Sequence, residues 1–504
     1  MTDEHLDLVF DDVHTLNPGI DWYNDTLYYT IPARVNVTKL KGRGKEKVET
    51  PGFDTITIVI TSKRTVFRFT EDSLYKRGFA YPTTFTAQDE PRWQPEDWRD
   101  WITEGPVRTI SPHAIYATVR EVFTEHIEYQ HDIHYDLATM YVLASYVFPI
   151  WEALPYIHFN GTRASGKSQN LRIFEALAFN TSIASNMTEA ALFRTAAGNP
   201  GLMCLDEAET FDSDRGKELK LILNAGYKRN GNVRRTERGP NDVFRPIDYH
   251  VYGPKILASI NSLEPVLGSR CIVIPMLPTI RHNIPTFKTN NPRWQTIRND
   301  LYIWALQNAH KVAVATEACE THKIAIPDSI RNRDWELATV FYSLATYFEN
   351  DDLLAALNDY FTSQINRRRK EADNERQIFY LRILPRALQS IQPHDGNFYP
   401  YSEIFETAKQ YMSTDEAENT KSRSLGRYLK PLLGGEVETK RIPGGKGQAI
   451  RLDEEAIRAQ FKRRDLEPYP EDVDWLAGKT SYQQTPNTVW GRDPNLDDIL
   501  GGVA

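Results

Sequence analysis

Residues 161–168 read Gly-Thr-Arg-Ala-Ser-Gly-Lys-Ser, and no other stretch constrains the fold of this chain as tightly. Gly161 and Gly166 free the backbone to curl so that successive N–H groups face one anion. An apolar run, Leu-Pro-Tyr-Ile-His-Phe (154–159), leads in as a buried strand, and residues 167–179 lead out with the pattern of a helix. Strand, loop and helix N-terminus together make a polyphosphate cradle, with the helix dipole adding a favourable field. This Walker A pattern sets Lys167 to reach β- and γ-phosphates and Ser168 to ligate Mg²⁺. The expected nucleotide-binding residues are therefore Gly161, Thr162, Arg163, Ala164, Ser165, Gly166, Lys167 and Ser168, with ATP and Mg²⁺ as ligands. The fold class that follows is α/β, a P-loop core built on parallel strands.

A second element supports the first. Four apolar residues, Leu202 to Leu205, run into Asp206 and Glu207. Such a run predicts a fully buried strand, so both acids emerge at its C-terminal end beside the phosphate loop. There Asp206 completes the magnesium shell with Ser168, and Glu207 polarises an attacking water. A second carboxylate at that place suits hydrolysis better than transfer to a small molecule. A third strand, Lys-Ile-Leu-Ala-Ser-Ile-Asn (255–261), ends in the polar Asn261.

The order of phosphate loop, acidic pair and strand-terminal Asn resembles AAA+ ATPases, and this resemblance implies that Asn261 is the sensor 1 residue that orients the water. Residues 264–276, with Arg270, resemble the arginine-finger segment of minichromosome-maintenance and superfamily III helicases of phages and mobile elements. An arginine finger cancels transition-state charge, often from a neighbouring subunit. The resemblance thus implies a homo-oligomer, a hexameric ring. It also makes the helical stretch 295–375 a lid, in which Arg331 or Arg333 serves as a sensor 2 arginine.

Between the acidic strand and Asn261, residues 218–254 begin as a helix, break at Asn-Gly and continue as two β-like runs joined at 238–242. This arrangement is similar to the pre-sensor-1 hairpin of the same helicases. From 228 to 255 it carries seven basic against three acidic side chains, with Tyr249 and Tyr252 nearby. Cations with aromatics suit a single-stranded backbone, so Arg234, Arg235, Arg238 and Arg245 are expected DNA contacts. Residues 376–464 read as three helices and a two-strand hairpin, the pattern of a winged-helix domain. Its recognition helix (420–433) offers Lys421, Arg423 and Arg427, and its wing offers Lys440, Arg441 and Lys446, for single- or double-stranded DNA.

The whole chain has 504 residues and a formal net charge of −8, which by itself points to no nucleic-acid partner. That total averages the two basic segments with residues 465–504, where eight acids meet two bases in a stretch without period, expected to be a flexible acidic tail able to dock a replication partner. Residues 1–110 have strand composition around an Asn-Asp turn at 24–25; the expected role of Trp93, Trp98 and Trp101 is to close a small core. Three dispersed cysteines argue against disulfides and cysteine zinc sites. The longest apolar run, 137–151, is shorter than the ~20 residues of a membrane span, which places the protein in the cytoplasm as a soluble chain. The domains expected are 1–110, 111–294, 295–375, 376–464 and the tail. The function expected is an ATP-dependent DNA helicase or translocase for replication of a phage, plasmid or mobile element. Two alternatives stand beside it: an initiator, loader or remodelling switch without processive unwinding, and a winged-helix regulator whose nucleotide site is structural.

Overall fold

The structure, a computed structural model, describes residues 13–41, 48–87, 92–103, 105–183, 189–206, 216–238, 244–373, 376–394, 396–412, 422, 425–433, 439–442 and 447–477. The chain divides into two compact units, one up to Thr362 and one from Ser363.

The first unit opens with an antiparallel sheet, β1 (Ile20–Tyr23), β2 (Thr26–Lys41), β3 (Val48–Thr61) and β4 (Val66–Arg68), whose spatial order follows the chain. Asn24 and Asp25 turn β1 into β2 with φ of 47° and 52°. Two left-handed residues match the twist of a hairpin, and Asn and Asp tolerate them. Tyr29 of β2 is fully buried, packed against Phe179 and Tyr302, and its hydroxyl donates to the Tyr146 carbonyl. Helix α1 (Pro95–Ile102) follows. Two of the tryptophans here are core residues, Trp93 just before α1 and Trp101 within it, while Trp98 is half-buried. Trp93 stacks on Tyr302 at 4.9 Å and Trp101 donates to the Thr61 carbonyl at 2.9 Å. Both rings are buried and so are closed to base stacking.

Helices α2 (Pro112–His126) and α3 (Asp132–Ser145) precede a five-stranded sheet. Every residue of α3 from His134 to Ser145, apart from Asp136, is buried, which explains the apolar run there. No described helix is long and apolar enough to cross a membrane. The sheet takes β5 (Tyr156–Gly161), then α4 (Lys167–Leu177), β6 (Ser182–Ile183), α5 (Glu189–Gly198) and β7 (Met203–Leu205). Helix α6 (Gly216–Ala225) leads to a separate two-stranded hairpin, β8 (Asn232–Arg238) and β9 (Phe244–His250), and then to β10 (Lys255–Ser259) and β11 (Cys271–Met276). All pairings in the large sheet are parallel, and its order is β11-β5-β10-β7-β6. The chain is thus mixed α/β with a parallel sheet, and β10 is interposed between the strand that enters the glycine loop and the strand that ends in Asp206. Two long helices, α7 (Pro292–Glu320) and α8 (Arg333–Tyr347), follow in this unit.

The second unit runs α9 (Arg376–Ser390), β12 (Phe398–Pro400), α10 (Tyr401–Lys409), α11 (Leu425–Leu432), β13 (Thr439–Ile442), β14 (Gly447–Arg451) and α12 (Glu454–Arg464). Its three strands pair antiparallel in the order β12-β14-β13. Leu425, Leu429 and Leu432 turn one face of α11 into a core shared with Leu384, Ile404 and Ile450.

The stretch after 465 departs from the expected flexible tail. Pro470–Asp472 and Val473–Leu476 form helical turns, and Trp475 is buried in the core of the second unit beneath the Arg458 guanidinium at 4.5 Å. Asp472 is buried against Arg386, whose Nε donates to its carboxylate at 3.0 Å. Arg386 also packs over the Tyr411 and Tyr469 rings at 4.7 and 4.8 Å. Three aromatic and ionic anchors outweigh a low-propensity, proline-rich local sequence. Trp490 and the acids from 493 onward lie outside the described residues.

Candidate active site

The glycine loop rises from the C-terminal end of β5. Ala164 and Gly166 adopt φ of 59° and 88°, and Gly166 is the residue that starts α4. At Gly161 the constraint is space: a Cβ there would lie 2.1 Å from the Met276 carbonyl oxygen of β11. The Lys167 ammonium folds back onto the loop, donating to the Gly161 and Thr162 carbonyls at 2.6 and 2.7 Å. Ser165 is buried, and its hydroxyl has no hydrogen-bond partner among the described residues. An orphaned buried hydroxyl within a curled loop at a helix N-terminus fits an anion that supplies the missing acceptor.

Ser168 donates to the Asp206 carboxylate at 3.3 Å. The two expected Mg²⁺ ligands therefore face each other, since Leu205 pairs with Leu257 of β10 and Asp206 leaves the sheet at the same edge as the loop. A hydroxyl and a carboxylate are hard oxygen ligands, the donor set that suits Mg²⁺. Glu207 lies outside the described residues. Asn261 stands two residues past β10, exposed, at that same edge, because Ser259 is in register with Asn160. No group of three or more metal-ligating side chains occurs among the described residues.

The arginines are placed differently. The Tyr156 amide donates to the Arg270 carbonyl, so Arg270 lies at the start of β5, whereas the glycine loop is at its end. Five strand steps separate those ends by about 17 Å, beyond the span of an arginine side chain. Arg270 instead packs on the Tyr227 ring at 5.0 Å. Arg333 packs on the same ring at 5.1 Å and donates to the Tyr227 and Ser269 hydroxyls at 2.9 and 3.1 Å. Arg333 thus joins Arg270 at the edge opposite the glycine loop. Arg331 is exposed, two residues ahead of it.

The hairpin is present, but its charge is largely engaged. Arg234 forms a two-point pair with Asp248, at 2.7 and 2.8 Å, which holds that carboxyl below its usual range. Arg235 covers the Phe193 ring at 4.2 Å. Lys228 pairs with Glu336, and Arg229 pairs with Glu152 while donating to the Trp22 carbonyl. Lys255 is fully buried, donating to the Gly226, Val251 and Gly253 carbonyls at 3.4, 2.8 and 3.1 Å, and burial pushes it down to about 7. The expected aromatic platform also changes. Tyr249 and Tyr252 are buried, the latter donating to the Trp151 carbonyl at 2.6 Å. Phe244 of the hairpin is 67% exposed, beside the exposed Arg245. Arg238 closes β8, and its side chain is outside the description.

In the second unit Arg441 is exposed on β13, Lys440 covers the Phe398 ring at 4.2 Å, and Arg427 lies in α11. Lys421, Arg423 and Lys446 lie outside the described residues.

Three polar residues of the central strands belong to no motif in the sequence. His158 and Asn160 occupy one face of β5, and Ser259 ends β10. The i, i+2 spacing of His158 and Asn160 in an otherwise apolar run was the available signal.

The sequence matches no protein-family profile and no curated protein. Among solved structures, the A form apo structure of the NrS-1 C-terminal region is similar over 79% of this chain and 94% of that one, with a TM-score of 0.33 and 12% identity. A full-length MCM homolog from Methanopyrus kandleri is similar over 67% of this chain and 77% of that one, with a TM-score of 0.33 and 13% identity. JCV helicase with a bound acetamide compound is similar over 56% of this chain and 68% of that one, with a TM-score of 0.23 and 15% identity.

Proposed function

We propose that this chain is an ATP-hydrolysing AAA+ DNA helicase or translocase that works as a homo-oligomeric ring, in replication of a phage, plasmid or other mobile element. The observation that carries the reading is the placement of β10 between β5 and β7. It sets Asn261 between a polyphosphate cradle and a strand-end acid, the interval in which a water attacking the γ-phosphate must be held. Lys167 and the loop amides bind the phosphates. Ser168 and Asp206 would hold Mg²⁺, which when bound neutralises charge developing on the transferred phosphoryl group. Glu207 takes the proton of the attacking water, and Asn261 orients that water.

Arg270 and Arg333 serve a phosphate bound by the neighbouring subunit. Their position across the sheet from their own loop favours that direction. DNA is gripped by the end of the β8–β9 hairpin, through Arg238, Arg245 and Phe244, and by the second unit acting as a winged helix through α11 and the β13–β14 hairpin.

The test is strand separation on a forked DNA duplex with ATP hydrolysis measured in the same reaction. Lys167→Ala should abolish both. Arg238→Ala with Arg245→Ala should keep hydrolysis and lose separation. DNA-stimulated hydrolysis without separation in the unmodified chain would replace the helicase with a loader or remodelling switch, and absence of hydrolysis would overturn the enzyme reading. Monomeric particles in the presence of nucleotide would remove the role of Arg270 and Arg333 in a neighbour's site.

A further inference from the structure

Three side chains outside the nucleotide-binding set converge on the backbone of Asn261. Ser259 donates its hydroxyl proton to the Asn261 carbonyl at 2.6 Å. A carbonyl can only accept, so that proton is committed, and the Ser259 oxygen is left to accept from His158 Nε2, also at 2.6 Å. The tautomer of His158 follows: Nε2 carries the hydrogen. Asn160 adds a second hold, its amide donating to the Ile260 and Asn261 carbonyls at 3.2 and 2.9 Å.

The register explains how this happens. His158 pairs with Leu257 across the parallel ladder, so Ser259 is its diagonal neighbour on the same face, within reach of an imidazole. His158 and Ser259 are 2% and 1% exposed, and burial pushes the imidazole down to about 4. The relay is therefore enclosed and uncharged at neutral pH. A buried polar chain of this kind is costly unless every member is paired, and here the pairing ends on one backbone carbonyl.

We propose that His158 and Ser259 are positioning residues for ATP hydrolysis, a rigid relay from β5 that fixes the turn carrying Asn261 against the phosphate loop. The proposal rests on the reading of Asn261 as the residue that orients the attacking water. The relay is buried and acts through the Asn261 carbonyl. Its effect is on the turnover step, because misplacement of an orienting group slows chemistry while leaving phosphate binding to Lys167 and the loop.

The experiment is steady-state ATP hydrolysis by the full-length chain carrying Ser259→Ala, His158→Leu, His158→Gln or Asn261→Ala, with urea unfolding of each. Ser259→Ala and His158→Leu should lower kcat by about tenfold with KM for ATP unchanged. His158→Gln, whose amide retains a donor to Ser259, should recover most of the loss. In an Asn261→Ala background, Ser259→Ala should cost nothing further, since both act through one group. Losses that simply add, or a Ser259→Ala variant with wild-type kcat, would overturn the relay while leaving the Asn261 reading intact. Hydrolysis indifferent to Asn261→Ala would overturn that reading, and the relay with it. If the urea midpoint of Ser259→Ala collapses, the comparison of His158→Gln with His158→Leu takes its place, since the first can donate to Ser259 and the second cannot.

Discussion

Lys255 offers a measurement in which burial can be read directly. The ammonium is fully enclosed at the first residue of β10, with three backbone carbonyls around it, and it is pushed down to about 7 from an ordinary 10.5. The cause is desolvation, which disfavours the charged form. Between pH 7 and pH 10 the unfolded chain holds this proton and the native chain does not. Stability therefore rises with pH across that window, by about 1.4 kcal/mol per unit, or about 4 kcal/mol over three units. Lys255→Met removes the titration but strands hydrogen-bond acceptors, at about 1–3 kcal/mol. At pH 10 the wild type should exceed the variant by that amount; at pH 7 the variant should match or surpass the wild type. Urea unfolding followed by tryptophan fluorescence at pH 7, 8, 9 and 10 measures the difference, and other titrating groups cancel in it. A wild-type advantage that stays constant over the four pH values would refute the reasoning. It would mean that the carbonyls solvate the ammonium as well as water does.

Two further outcomes follow from burial. His134 and His158 are both pushed down to about 4 by desolvation from an ordinary 6.5, with the neighbouring His131 adding to the shift of His134. The unfolded chain takes up protons below pH 6.5 that the native chain refuses until about 4, so stability is lost as pH falls through that interval, by on the order of 3 kcal/mol for each histidine. Urea midpoints at pH 7 and pH 4.5 check this, and His134→Phe should remove its share of the acid dependence; an unchanged dependence counts against it. In the second unit, Trp475→Ala should cost about 3–5 kcal/mol through the cavity it opens. Loss of amide hydrogen-exchange protection in α9 and α12 is the readout, and unchanged protection would show that residues 470–476 do not help to hold that core.

Much of the site was legible because its chemistry is local. Eight contiguous residues dictate the glycine loop, since backbone curl, helix start and the lysine all belong to one segment. Asp206 was legible for a related reason: an apolar run followed by an acid determines a buried strand and where that strand ends. The Asn-Asp turn at 24–25 and the hairpin at 232–250 announced themselves by residues that tolerate left-handed backbone or by paired β-branched runs. Charge was legible only as a total. Seven bases lie between 228 and 255, yet Arg234 is tied to Asp248, Arg235 to the Phe193 ring, and Lys255 is interior. A cation in the sequence has no sign of its partner, because that partner arrives from another element.

What the sequence determined by itself was therefore a curled glycine loop, the buried strands that feed it and the acid opposite it, all set by neighbours along the chain. Tertiary structure decided which strand lies between them, that Arg270 and Arg333 share Tyr227 at the far edge, and that His158 reaches Ser259. It also decided that Trp475 folds inward. Those outcomes depend on strand order, register and competition for buried volume, and these quantities exist only after distant segments have met.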